Sequence, residues 1–336
     1  MLKGSPCDQI PRGLGETLGS VETDLIELTM ILEYQAGTIA QVLAAVRKCS
    51  NRWAPRPQDP EELWFRGEKA RYTLLPGLYR AHNLPFKYDE EDLQERFKAR
   101  GAEFVPGDGG TAWDWYFRAQ HYGLPTRLLD WTDSLLAATY FAATGHIDYE
   151  DRRPFDRARK ARRRAIFDAK SPVVWVLDAG SLNRFAFGDQ YDQVFALGGV
   201  GTEPYLPEAV NQPQSKNQYP IAILPRHSND RIIGQQGSFT IHGHEKVALD
   251  ELASRPEGST IRLARIVIDR GNVAHLWREL ERLGVSRASL FPGLDSLASV
   301  IKWFGQSSGV TKRRRRRMAK KKGGPKKKAK KVPRGR

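Results

Sequence analysis

The chain has 336 residues, 40% hydrophobic and 10% aromatic with eight Trp, which is enough apolar side chain for a sizeable core and excludes a wholly disordered polymer. Its net charge of +15 is not spread evenly: 16 of the 54 Lys and Arg lie between Lys312 and Arg336, where no acid occurs, and the remaining 38 face 39 acidic residues. The chain is therefore a neutral body with a polycationic tail, not a basic protein throughout.

Two cysteines, Cys7 and Cys49, give neither a disulfide framework nor, by themselves, a zinc site. The N-terminal stretch MLKGSPCDQIPRGLGETLG lacks the apolar core of a signal peptide, and no apolar run approaches a membrane span. An intracellular, cytoplasmic location with no membrane contact is expected.

In chain order, residues 1–19 are polar and punctuated by Gly and Pro, a flexible leader. Leu25, Leu28, Leu32, Ile39, Val42 and Val46 recur at steps of three and four, with Gln35 in the remaining place, and predict an amphipathic helix over 20–50. Its apolar face either docks on the chain's own domain or mediates self-association through residues 24–48, where a buried Gln would fix register. Asn51–Pro60, with three prolines, reads as a linker.

A single domain is expected over 61–305. Leu63–Gly67 reads as a short strand and Tyr88–Arg100 as a charged helix. Thr111–Tyr122 and Asp133–Thr144 read as two further helices, joined by a turn over Gly123–Thr132. Residues 150–170 form a basic insertion. Pro172–Leu177, Ile221–Leu224, Ser238–Ile241 and Ile261–Ile268 have strand character, and 198–219 reads as loop. Asn272–Leu283 reads as a helix capped by Asn272, Leu290–Leu294 as a buried corner, and Leu294–Trp303 closes the body. Residues 306–336 are a disordered polybasic tail. Strands and helices mixed without βαβ alternation predict an α+β fold: one mixed domain with a small sheet and surrounding helices.

The densest cluster of functional side chains runs from Ala119 through Thr132. Gly123 suits a helix C-terminus and Pro125 prevents the helix from continuing, so Thr126, Arg127, Asp130 and Thr132 are displayed next to His121. Such groups bind an anionic or sugar-bearing ligand through forked arginine bonds and hydroxyl donors. On residue types alone a structural Arg–Asp clamp, with Thr132 or Asp133 as a helix cap, is the first reading of the same pattern. Trp113, Trp115 and Phe117 are expected to pack the core beneath it.

Trp64-Phe65-Arg66-Gly67, Leu75-Pro76-Gly77-Leu78-Tyr79-Arg80 and Ala119 to Thr132 (AQHYGLPTRLLDWT) together resemble the FRG domain, named for its (F/Y)RG motif and found mainly in bacterial and phage-related proteins. Ile233–Phe239 and Leu290–Leu294 resemble weaker continuation motifs of that family. The resemblance implies that Arg66, His121, Thr126, Arg127, Asp130 and Thr132 line one pocket, and suggests a setting in phage defence.

Three functional readings compete. In the first, Arg66 at a strand end resembles the first NAD-contacting motif of arginine–serine–glutamate ADP-ribosyltransferases. NAD would then be the cofactor, Arg66, His121 and Asp130 the catalytic candidates, and Thr126, Arg127, Thr132, Gln235 and Gln236 the ligand-binding ones. The family's Glu-x-Glu turn has only Glu279-Leu280-Glu281 to match it, within a helix and expected in solvent; Asp130 and Glu245 are the remaining carboxylates. In the second, the body is a recognition module and the tail binds nucleic acid without sequence preference, through Arg313, Arg314, Arg315, Arg316, Arg317, Lys320, Lys321, Lys322, Lys326, Lys327 and Lys328. The arginine-rich insertion extends that footprint or is a solvated face. In the third, a metal-dependent nuclease, His242-Gly-His244 at strand spacing would supply a ligand pair beside His227 and Asp230, although no further ligand motif accompanies them. No metal site is expected.

Overall fold

Eight strands make one mixed sheet. In chain order they are β1 (Leu32–Ala36), β2 (Leu63–Glu68), β3 (Leu128–Thr132), β4 (Val173–Asp178), β5 (Phe195–Ala196), β6 (Ile221–Leu224), β7 (Gly237–Ile241) and β8 (Leu263–Ile268), and they pair in the order β1-β8-β4-β2-β3-β7-β6-β5. The structure is a computed structural model that describes residues 31–54, 62–80, 90–105, 107, 109–144, 165–191, 193–197, 201–210, 217–225 and 236–303. The pairs β1/β8 and β5/β6 are parallel and the others antiparallel. The fold is α+β, with a larger sheet than the sequence suggests.

β4 (VVWVLD) is buried along its whole length because both its faces are covered, which is why it reads as a continuous apolar run. Alternate residues of β2, β4 and β8 face two cores. Phe65, Val174, Val176, Ala264, Ile266 and Ile268 pack under helices α1 (Ile39–Trp53), α4 (Leu135–Thr144) and α6 (Val273–Arg282). Trp64, Trp175, Leu177 and Leu263 face the other way, against Leu249 and Leu252. A third cluster joins β6 and β7 to α3 (Ala112–His121), whose N-terminus is closed by a reciprocal capping box between Thr111 and Asp114. The remaining labelled helices are α2 (Glu90–Gly101) and α5 (Ala179–Phe187).

The helix expected over 20–50 begins only at Ile39: residues 32–36 are β1, in parallel register with β8 from Leu32↔Ala264 to Ala36↔Ile268. α1 then runs to Trp53, into the expected linker. Ile39 and Val42 lie in the core with Val46 packed against it, so this face docks on the chain's own sheet. The turn expected over Gly123–Thr132 ends early, since Leu128–Thr132 is β3.

Asn272 stands before α6, but its side chain donates to the Gly37 carbonyl and makes no capping bond. Glu279, expected in solvent, accepts from the Ile39 N–H at 3.1 Å, a carboxylate at the start of α1. Of the corner over Leu290–Leu294 only Leu290 is buried; Leu294, itself exposed, opens a helix over 294–303 that brings Trp303 into the core. The leader, most of the basic insertion and the tail lie outside the described residues. Among the described residues no helix is long and apolar enough to cross a membrane.

Candidate active-site cleft

The cleft forms where the sheet splits. β2 pairs with β4 along all six of its residues, from Leu63↔Asp178 to Glu68↔Val173, but meets β3 only at Phe65↔Thr132. Beyond that pair, Arg66 spans from β2 to β3. Its Nη1 donates to the Asp130 carbonyl at 2.6 Å, a contact made by a side chain in place of a ladder bond. Its Nε donates to Glu68 Oε1 at 2.8 Å, and Nη2 lies 2.7 Å from the same oxygen. This leaves N–H groups on both terminal nitrogens for a ligand.

Gly67 completes the local geometry. A Cβ at this position would stand 1.9 Å from the Ala138 carbonyl oxygen and 2.6 Å from the Ala142 nitrogen, both backbone atoms of α4. The absent side chain is what lets α4 lie on β2.

Asp130 is the carboxylate the cleft offers to solvent: its side chain is 61% exposed and lies 3.8 Å from Arg66 Nη1. A short relay orients it. Thr126 Oγ1 donates to Gln120 Oε1 at 2.6 Å, and Gln120 Nε2 donates to both Asp130 oxygens at 3.1 and 3.3 Å. Gln120 reaches it from the last turn of α3, which ends before Gly123, whose φ of 84° is the left-handed geometry of a helix terminus.

The resulting cavity, about 290 Å³, is lined by Arg66, Gly67, Gln120, His121, Asp130, Trp131 and Thr132, between the rings of Phe117, Phe141 and Phe239. Arg66, His121, Asp130 and Thr132 are thus brought together as the sequence predicts. Gln120, Glu68, Phe141 and Phe239 were not singled out. Gln120 stood in the motif itself; Glu68, two residues after Arg66 on one strand face, was detectable from strand spacing. Nothing local signalled the two phenylalanines.

Thr126 and Arg127 do not line the cleft. Thr126 is buried and serves the relay. Arg127 is 1% exposed and points into the fold: its Nε donates to Glu90 Oε2 at 2.6 Å, its Nη1 to the His242 carbonyl at 2.7 Å, and its Nη2 to the Tyr205 carbonyl. The Tyr116 hydroxyl, held protonated first of all by burial, donates to Glu90 Oε1 and accepts from Arg127 N at 3.0 Å. Arg127 is therefore a clamp and not a ligand group.

Gln235 and the basic tail residues from Arg313 to Lys328 lie outside the described residues, as do His227 and Asp230. Gln236 is exposed, with a φ of 47°, and its carbonyl accepts from Asp133 N at 3.1 Å. His242 and His244 follow β7 instead of sharing a strand face: His242 is fully buried and His244 Nδ1 lies 3.1 Å from Asn217 Oδ1. Among the described residues no group of three or more His, Cys, Asp or Glu is placed to hold a metal ion.

The family model of the FRG domain matches residues 61–151. The chain carries an FRG domain. No curated protein and no solved structure matches the chain. The match spans β2 to α4 and so contains every polar residue of the cleft. The tryptophan and phenylalanine before the family's arginine enter opposite cores, the arginine bridges the split, and the glycine admits α4. Outside the FRG match, β7 supplies Gly237 and Phe239 to the far wall.

Beneath the FRG motif, His242 makes acid stability testable. Burial, and then the neighbouring Arg127 charge, lower its pKa to about 3. The unfolded chain binds this proton near pH 6.5 and the folded chain does not, so stability falls as pH drops from about 6.5 towards 3. Between pH 7 and 5 this residue costs about 2 kcal/mol of stability. His242→Phe is expected to remove that increment, read as a smaller loss in urea midpoint over the same interval. An unchanged pH slope would show that His242 is protonated in the fold.

Proposed function

We propose that the cleft binds a nucleotide of the NAD class by its ribosyl–pyridine end and acts on the glycosidic bond, the ADP-ribosyltransferase-like reading. The observation that carries it is the exposed Asp130 carboxylate, oriented by Gln120 beside Arg66 and between aromatic rings. Around the Arg66 guanidinium stand two carboxylates, Glu68 and Asp130, so carboxylates outnumber the guanidinium at this end of the cleft. That suits a cationic pyridinium and an oxocarbenium ion better than a phosphate, and aromatic walls favour a cation further.

In the step, the C1′–N bond breaks and its electron pair leaves with neutral nicotinamide. A lone pair of water or of an acceptor nucleophile closes on C1′, and the proton it loses passes to Asp130 or His121. Arg66 acts by holding Glu68 and the β3 backbone in place, with Thr132 on the cleft wall.

The test is nicotinamide release and calorimetric NAD binding by the full chain at 0.3 M salt. Asp130→Asn is expected to keep the wild-type melting temperature, since the side chain is mostly exposed, and to cut release on the order of 10²-fold. Absence of both NAD binding and nicotinamide release in the wild-type protein would sink the reading.

A second reading concerns the tail alone and rests on its sequence: 16 cationic residues from Lys312 to Arg336 and no aromatic residue among them. We propose phosphate-directed, sequence-independent nucleic-acid binding. If roughly six to ten phosphates are engaged, affinity for a single oligonucleotide falls by about three to five decades between 50 and 200 mM salt. Fluorescence anisotropy at the two salt concentrations measures this, and a salt-insensitive affinity would contradict it.

A further inference from the structure

A second cavity, about 590 Å³, lies beside the first, and Phe117 and His121 of α3 line both. We propose that the two lobes form one cleft for a dinucleotide, with the second lobe taking its purine base. The inference rests on the reading of the first lobe given above.

Three observations point to a base. The second lobe is walled by aromatic rings from three elements: Phe97 of α2, Phe104 in the turn after it, and Trp115, Phe117 and Tyr122 of α3 and its terminus. Phe97 and Trp115 already meet edge to face, with centroids 6.1 Å apart. Phe104 and Tyr122 stand 78% and 76% exposed at its rim, large rings left with a face for a stacking partner.

Charge sets the orientation. In the first lobe carboxylates outnumber the Arg66 guanidinium. In the second, Asp114 is engaged in the α3 capping box, accepting from Thr111 N at 2.7 Å, while the Arg118 guanidinium lies 5.2 Å from the Trp115 ring centroid. The pyridinium end therefore belongs with Asp130 and the neutral base with the aromatic lobe. His121, which lines both, lies where the linking phosphates would cross.

Calorimetry on the full chain at 0.3 M salt separates the parts, using NAD, nicotinamide mononucleotide and AMP as probes. NAD is expected to bind roughly ten- to a hundredfold more tightly than the mononucleotide, the worth of one stacked base. Tyr122→Ala and Phe104→Ala, each removing a mostly exposed ring, are expected to weaken NAD and AMP about tenfold and to leave the mononucleotide unchanged. Far-UV circular dichroism confirms that both variants fold. Equal affinity for NAD and the mononucleotide, or variants that weaken both alike, would overturn the dinucleotide inference while the first-lobe reading stands. Failure of all three probes to bind would overturn the dinucleotide inference, and the first-lobe reading with it where nicotinamide release is absent too.

Discussion

Gly67→Ala is expected to destabilise the protein by about 3 kcal/mol or more, at the upper end of what overpacking costs. The added methyl would lie 1.9 Å from the Ala138 carbonyl oxygen and 2.6 Å from the Ala142 nitrogen. These are helix backbone atoms, so no side-chain rotation relieves the clash and α4 must move as a body. That movement would open the core around Phe65, Ala138 and Ala142. It would also displace Phe141 from the cleft, so ligand binding should fail together with stability. In a domain of this size the melting temperature should fall by roughly 6–12 °C. Gly77→Ala is the control, because a Cβ there meets nothing within 4 Å and no left-handed φ is needed. A Gly67→Ala protein that melts with the wild type would show that α4 does not approach β2 this closely.

Arg127→Met carries the second large effect, a loss of about 3–5 kcal/mol. The replacement has similar bulk but leaves the Glu90 carboxylate, itself only 8% exposed, without its cation. It also strips the carbonyls of Tyr205 and His242 of their donor. Arg127→Lys cannot repair this, because one ammonium cannot reach three acceptors arrayed for a planar fork. Combining Arg127→Met with Glu90→Gln should recover more than 1 kcal/mol relative to the sum of the single changes, since the stranded charge is gone. Denaturant titration of the four proteins reads this directly. Additive losses would mean that the pair is not coupled and that the clamp is a matter of packing alone.

Both effects concern residues inside the FRG motifs: Gly67 lines the cleft but acts by admitting α4, and Arg127 lies outside the cleft lining. The motifs thus combine two tasks. Gly67 and Arg127 hold β2, β3, α2 and α4 together, while Arg66, Gln120, His121, Asp130 and Thr132 face the cleft those elements leave open. A loss of activity in Gly67 or Arg127 variants therefore reports folding unless stability is measured beside it. Asp130→Asn is free of that ambiguity because its side chain is mostly solvent-exposed.

Much of this was legible in the residues. The strand at Leu63–Glu68, the helices at 90–101, 112–121, 135–144 and 273–282, and the strands at 173–178, 221–224, 237–241 and 263–268 follow from local periodicity, caps and glycines. The meeting of Arg66 with His121, Asp130 and Thr132 followed from motif resemblance. Residues 32–36 did not: Leu32 fits a helical step of four as well as a strand's alternation, and only pairing with β8 decides between them. Nor could adjacency in sequence separate Arg127 from Asp130. Arg127 lies just before β3 and enters the core towards Glu90, whereas Asp130 is the exposed position of a strand whose neighbours are buried. The same limit hid Phe141 and Phe239, which join the cleft from α4 and β7. Local pattern sets which element a residue occupies, because periodicity and capping act over a few residues. Which residues face one another across a split sheet depends on pairings between distant segments, and those are specified by the whole core.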